Sequence, residues 1–262
     1  MSITGFIKHL LSIENYSFSM DELINNTDSS RFLKSELTRL IEKKEIVSVR
    51  KGFYLIIPPR YSKQGSLPIQ LYIDKLFKYL NRNYYIGFYS AAKFHGASHQ
   101  QTHKEYVMTE TPKLNDIKKK ELNIRFLTTT KWALKNIIEK KSDAGIFKLS
   151  SPALTVVDLI NHQTKVGGIN RMLAILEELS EEITEQDLKD LLSWYPYMST
   201  LQRFGFLLEE LKVNANYCNQ IKNYLDQSKI YPVLLSPRKG ESPGAVDNQW
   251  KVDVNIKLES DL

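Results

Sequence analysis

Residues 29–58 read SSRFLKSELTRLIEKKEIVSVRKGFYLIIP, a helical pattern that runs straight into a basic hairpin pattern. In the helical part, Ser29 to Lys44, the residues Leu33, Leu37, Leu40 and Ile41 recur at i, i+4, i+7 and i+8, which predicts one apolar stripe facing a small core. Arg31, Lys34, Ser35 and Thr38 fall on the opposite face at i, i+3, i+4 and i+7. Such a row of cations and short hydroxyls has the side-chain chemistry that enters a major groove. The following VSVRKGFYLII is rich in β-branched and aromatic residues, and Arg50-Lys51-Gly52 supplies a turn with two positive charges at its tip.

Upstream, Ile3 to Ile13 reads as one helix, and Ser19-Met20-Asp21-Glu22 offers a capping box opening a second short helix through Ile24. Three helices and a hairpin predict a winged helix-turn-helix that binds DNA through Arg31, Lys34, Ser35, Thr38, Arg50 and Lys51. A solvated Lys/Arg face on a small α/β module has the same pattern, and helix order together with the charged hairpin favours DNA.

Downstream, Pro58-Pro59 stops the second hairpin strand, and Tyr61 to Pro68 has the composition of a linker. The expected division is a DNA-binding domain over 1–66 and a second, mainly helical α/β domain over 67–262, an α+β chain in all. In the second part, Ile69 to Leu80 and Tyr89 to Phe94 have helical patterns, with Gly96 as a stop. Lys104 to Thr109, Ile124 to Thr128 and Ile146 to Leu149 read as strands, with Lys118-Lys119-Lys120 as a solvated loop between the first two. Ser151-Pro152 opens a helix as cap and first residue. Helices continue from Asn170 to Leu225, their carboxylates mostly opposite the leucines, and Tyr231 to Leu235 with Trp250 to Leu258 suggests a terminal pair of strands.

Composition bounds the function. With 42% hydrophobic and 25% charged residues, the 262-residue chain is that of an ordinary globular protein. No run of 18 apolar residues and no charged-then-apolar leader occurs, so neither a membrane span nor a signal peptide is expected and the cytoplasm is the default location. Cys218 is the sole cysteine, which excludes an internal disulfide and a cysteine-rich zinc site. The formal net charge of +6 favours a polyanionic partner. Lys and Arg outnumber Asp and Glu by ten to four over residues 113–148, whereas residues 177–210 carry two positive and nine negative charges. That polarity suits two different contact surfaces.

His95, His99 and His103 are spaced by four, but Gly96 argues against the continuous helix that would align them for zinc. Asp247, Asp253 and Lys257 faintly suggest a metal-dependent nuclease, yet Asn255 stands where a further carboxylate is wanted. No phosphate loop and no Gly-x-Ser-x-Gly is present. No catalytic residue, metal or cofactor is therefore expected. The alternatives to a DNA-binding protein are a metal-dependent enzyme acting on nucleic acid and a scaffold whose acidic helices bind a basic partner.

Tyr89-Ser90-Ala91-Ala92-Lys93-Phe94-His95-Gly96, Ser151-Pro152-Ala153-Leu154-Thr155-Val156-Val157-Asp158-Leu159, Gln202-Arg203-Phe204-Gly205-Phe206-Leu207-Leu208-Glu209 and the ending with Leu235-Ser236-Pro237, Trp250 and Asn255 follow the N-terminal helices in order. Over nearly its whole length the chain thereby resembles the AbiEi family of antitoxins, regulators from type IV toxin-antitoxin and abortive-infection systems of phage defence. The resemblance implies an autorepressor that binds operator DNA through the winged helix and counteracts a nucleotidyltransferase-like toxin through the C-terminal domain. It also implies structural roles for His95, Asp158 and Arg203.

Overall fold

The computed structural model describes residues 1–28, 33–97, 104–119 and 122–259. The chain forms two compact units, neither of them one contiguous stretch. The first holds Met1–Tyr85, His103–Thr128 and Glu139–Lys148, and the second holds Ile86–Thr102, Thr129–Ile138 and Leu149–Leu262.

The first unit begins with α1 (Ile3–Ser12), β1 (Ser17–Ser19), α2 (Met20–Asn26), α3 (Leu33–Glu42), β2 (Ile46–Arg50) and β3 (Phe53–Ile56). The expected capping box opens α2. Ser19 Oγ accepts from the Glu22 amide at 3.0 Å and Glu22 Oε2 accepts from the Ser19 amide at 2.7 Å, so two otherwise orphaned donors are satisfied reciprocally. Ile3, Phe6, Leu10, Phe18, Leu23, Leu37, Leu40 and Ile46 pack into one core. Of the stripe expected on α3, Leu37 and Leu40 are buried and Leu33 is packed at the margin, but Ile41 is 40% exposed. The eighth position of that pattern has rotated past the edge of a narrow core. Strand β1 pairs antiparallel with β3, as β2 does, giving the order β1-β3-β2.

Next come α4 (Ile73–Tyr79), β4 (Tyr84–Ile86), β5 (Glu105–Glu110), β6 (Ile117–Lys119), β7 (Leu122–Thr129), β8 (Ile137–Ser142) and β9 (Gly145–Ser150), some of whose ends continue into the second unit. Among the described residues they form a six-stranded sheet of order β6-β7-β5-β4-β9-β8. It is mixed, with β4 parallel to β9 and β6 antiparallel to β7. The lysines expected in a solvated loop therefore lie partly in a strand. Lys118 and Lys119 pair with Asn123 and Leu122, because buried Ile117 opposite Ile124 sets the register. The boundary expected between 66 and 67 falls within the first unit.

The second unit contains α5 (Phe88–Phe94), α6 (Pro152–Asn161), α7 (Gln163–Val166), α8 (Leu173–Glu182), α9 (Glu185–Leu192), α10 (Met198–Glu210), α11 (Ala215–Leu225), β10 (Val233–Leu234) and β11 (Val252–Asp253). Helix α6 is buried continuously from Ala153 to Ile160 and α10 from Thr200 to Leu208, so both are core helices rather than amphipathic surface helices. On α8 the leucines Leu173, Leu176 and Leu179 are buried, while Glu177, Glu181 and Glu182 face solvent. The terminal strands are shorter than their alternation suggests, two residues each and parallel. Side chains hold the rest of that ending. Asn255 both accepts from the Ser236 amide and donates to the Ser236 carbonyl, each at 2.9 Å.

Candidate nucleic-acid interface

The N-terminal half of the first unit places a polar helix face beside a basic hairpin. On α3, Lys34, Ser35 and Thr38 are exposed on the side opposite Leu37 and Leu40. Thr38 Oγ1 donates to the Lys34 carbonyl at 2.9 Å, which spends its proton and leaves its lone pairs facing outward. Arg31, the first residue of the expected row, lies outside the described residues. Arg39 is also exposed on this helix, within 3.9 Å of Glu36.

The hairpin separates its two cations. Lys51 is exposed at the tip. Its carbonyl accepts from the Tyr79 hydroxyl at 3.0 Å, and the Gly52 carbonyl accepts from the Met20 amide at 2.8 Å. Arg50 turns the other way. Its guanidinium lies over the Phe126 ring, 5.3 Å from the centroid, and Nη2 donates to the Asn115 carbonyl. Burial lowers the Arg50 pKa, with the charge of Asp116 opposing that shift. On the same side, Lys119 Nζ donates to the Ser48 carbonyl. The structure thus gathers Lys34, Ser35 and Thr38 on one helix face and puts Lys51 at a hairpin tip, while Arg50 packs against the sheet. Phe126, Asn115, Lys119 and Tyr79 take part in this arrangement, and no local pattern in the sequence marks them.

In the second unit, the residues carrying the sequence resemblance are built into packing. Ser151 Oγ caps α6 by accepting from the Leu154 amide at 3.3 Å, and Asp187 Oδ2 accepts from the Ala153 amide at 2.8 Å. Both acceptors suit a helix N-terminus. His95 Nε2 donates to the Ser150 carbonyl at 2.8 Å, which assigns the proton to that nitrogen. Arg203 Nε donates to the Leu234 carbonyl at 2.8 Å, and its pKa is lowered by burial. Asp158 is 5% exposed on α6.

His99 and His103 lie outside the described residues. In the tail, Asp253 accepts from the Gly244 amide at 2.8 Å and Lys257 pairs with Glu259 at 2.6 Å. Among the described residues no group of three His, Cys, Asp or Glu side chains is arranged to hold a metal ion, and no helix is long and apolar enough to cross a membrane.

Two comparisons bear on this arrangement. A crystal structure of the RV2827C protein from Mycobacterium tuberculosis superposes with a TM-score of 0.65 over 95% of this chain and 89% of the other, at 15% identity. That likeness speaks for the fold alone. No curated protein matches the sequence. Residues 85–210, which hold α5, the capped α6 and the buried α10, match the family model described as the AbiEi antitoxin C-terminal domain. That match spans just under half of the chain and supports an AbiEi-family antitoxin of a toxin-antitoxin system.

Proposed function

We propose that residues 1–66 are a winged helix-turn-helix that binds operator DNA and represses the chain's own operon, and that residues 67–262 neutralise a nucleotidyltransferase-like toxin without catalysis. An antitoxin implies a toxin partner; the class of that toxin follows from the family resemblance. The observation carrying the DNA reading is the exposed row Lys34, Ser35 and Thr38 on α3, opposite the core leucines and next to a hairpin whose tip is Lys51. The order of three helices and a hairpin, with β1 joining the sheet edge, supports it. A helix so placed reads base edges while the wing lies along phosphates. Arg31 extends the same row by sequence spacing. DNA binding and toxin control both belong in the cytoplasm.

The test is binding of the purified protein to its own upstream DNA and to a scrambled duplex at two salt concentrations. Lys51→Ala is expected to weaken binding to both duplexes and to reduce the log-log salt slope by about 0.9. Lys34→Ala is expected to change which duplex is preferred, by about 1–3 kcal/mol at the affected base pair. Equal binding of all three proteins to both duplexes overturns the reading. Growth rescue on co-expression with a nucleotidyltransferase-like toxin tests the second half.

A further inference from the structure

The charged tip of the hairpin is anchored from behind. Arg50 closes β2, just after the bulge between Ser48 and Arg50 that re-aims the strand. Its guanidinium lies over the ring of Phe126, which is 1% exposed and belongs to β7. Nη2 donates to the carbonyl of Asn115, just before β6. The Arg50 Nε is buried with no partner among the described residues. A group placed for phosphate would turn its donors to solvent; this one is half-buried, with its Nε shielded and its plane over a core aromatic. Lys119 on β6 reaches back to the Ser48 carbonyl, and Tyr79 on α4 holds the Lys51 carbonyl. Tyr79 also meets Phe53 ring to ring at 5.3 Å. Three separate elements of the unit thus converge on the hairpin between Ser48 and Phe53 and leave the Lys51 side chain outside.

We propose that Arg50 is the positioning residue of the wing: clasped between Phe126 and the Asn115 carbonyl, it fixes Lys51 in register with the face of α3 and does not itself touch DNA. The proposal rests on the DNA-binding reading above for its functional half. The clasp stands on intramolecular contacts and has its own readout.

Arg50→Lys keeps the charge and removes the planar stack and the forked donor; Phe126→Leu keeps every charge and removes the ring. In DNA-free protein, both are expected to speed amide exchange at Lys51 to Tyr54 by about tenfold or more, as expected when a local opening becomes easier. On the upstream duplex, both are expected to lower the preference over the scrambled duplex several-fold while leaving the salt slope unchanged. Wild-type exchange rates at these amides in Arg50→Lys overturn the clasp, whatever Phe126→Leu does to folding. A salt slope reduced by about 0.9 in Arg50→Ala with wild-type behaviour in Arg50→Lys makes Arg50 a phosphate contact and overturns the proposal as well. If the wild-type protein shows no preference for its own DNA, the DNA reading fails while the exchange measurement still decides the clasp.

Discussion

The Cα of Gly205 faces the indole of Trp250 so closely that a β-carbon there would stand 2.0 Å from the ring carbon Cζ3. The indole is fully buried against α10, its Nε1 donates to Glu209, and its backbone carbonyl accepts from Gln202 at 2.8 Å. Gly205→Ala is therefore expected to destabilise the fold by about 3 kcal/mol through overpacking and to shift tryptophan emission to the red. Trp250→Leu in the same chain makes room for the methyl group. The double variant is expected to cost clearly less than the sum of the two single changes in urea unfolding, and full additivity would refute the contact.

Asn136 ties a loop to two helices. Its Nδ2 donates to the carbonyl and Oδ1 of Asp187 at 2.8 and 2.7 Å, its Oδ1 accepts from Trp194 Nε1 at 2.8 Å, and its carbonyl accepts from the Ser151 amide at 2.7 Å. Its φ of 64° lies in the left-handed region that asparagine tolerates better than most residues. Asn136→Ala is expected to cost about 3 kcal/mol, since it strands partners that are partly buried and strains the backbone. Asn136→Gly loses the same bonds but relieves the backbone and is expected to be about 1 kcal/mol less damaging. Equal unfolding midpoints for the two would show that conformation contributes nothing there.

Gly52 combines the same two constraints at the hairpin. Its φ is 76°, and a β-carbon would lie 2.7 Å from the Tyr79 hydroxyl. Gly52→Ala is expected to cost about 2 kcal/mol, of which roughly half is the left-handed backbone. Adding Tyr79→Phe removes the crowded oxygen together with its bond to Lys51. Calorimetry of both variants is expected to show that the second change is better tolerated in the Gly52→Ala background than in the wild type.

His162 stands edge-on to Phe88, with ring centroids 5.5 Å apart, and burial followed by the charge of Lys165 lowers its pKa to about 4. The unfolded chain takes up the proton near the ordinary value of about 6.5. Stability is then complete above that value and falls as pH drops from about 6.5 to 4, because only the unfolded state gains the proton in this window. The loss is expected to be on the order of 2 kcal/mol, with allowance for a ring that remains partly open to solvent. Urea midpoints across this range are expected to slope less in His162→Gln.

Local signals were sufficient for the elements that start with a cap or run with a strong period. The Ser19 capping box, the Ser151-Pro152 start of α6 and the hairpin around Gly52 all stand where side-chain chemistry dictates. Strands β4 and β8 carry no such mark. YYI is too short for alternation to register, and β4 is fixed by parallel pairing with β9, more than sixty residues away. The alternation in IIEKKS describes a half-exposed strand whose lysines read equally well as loop. Of the candidate interface, the row on α3 was legible because it obeys the helical period. The fate of Arg50 was not, since Asn115 and Phe126 lie beyond any local window.

The interleaving of the two units governs how the chain can be taken apart. Each unit is assembled from three stretches that alternate along the sequence, so the polypeptide passes back and forth between them before its last helices. No single cut yields one unit whole, and a fragment ending near residue 66 leaves behind the strands that hold its hairpin. Point substitutions therefore test the proposed DNA and toxin roles one at a time, whereas deletion mapping would report lost folding as lost function.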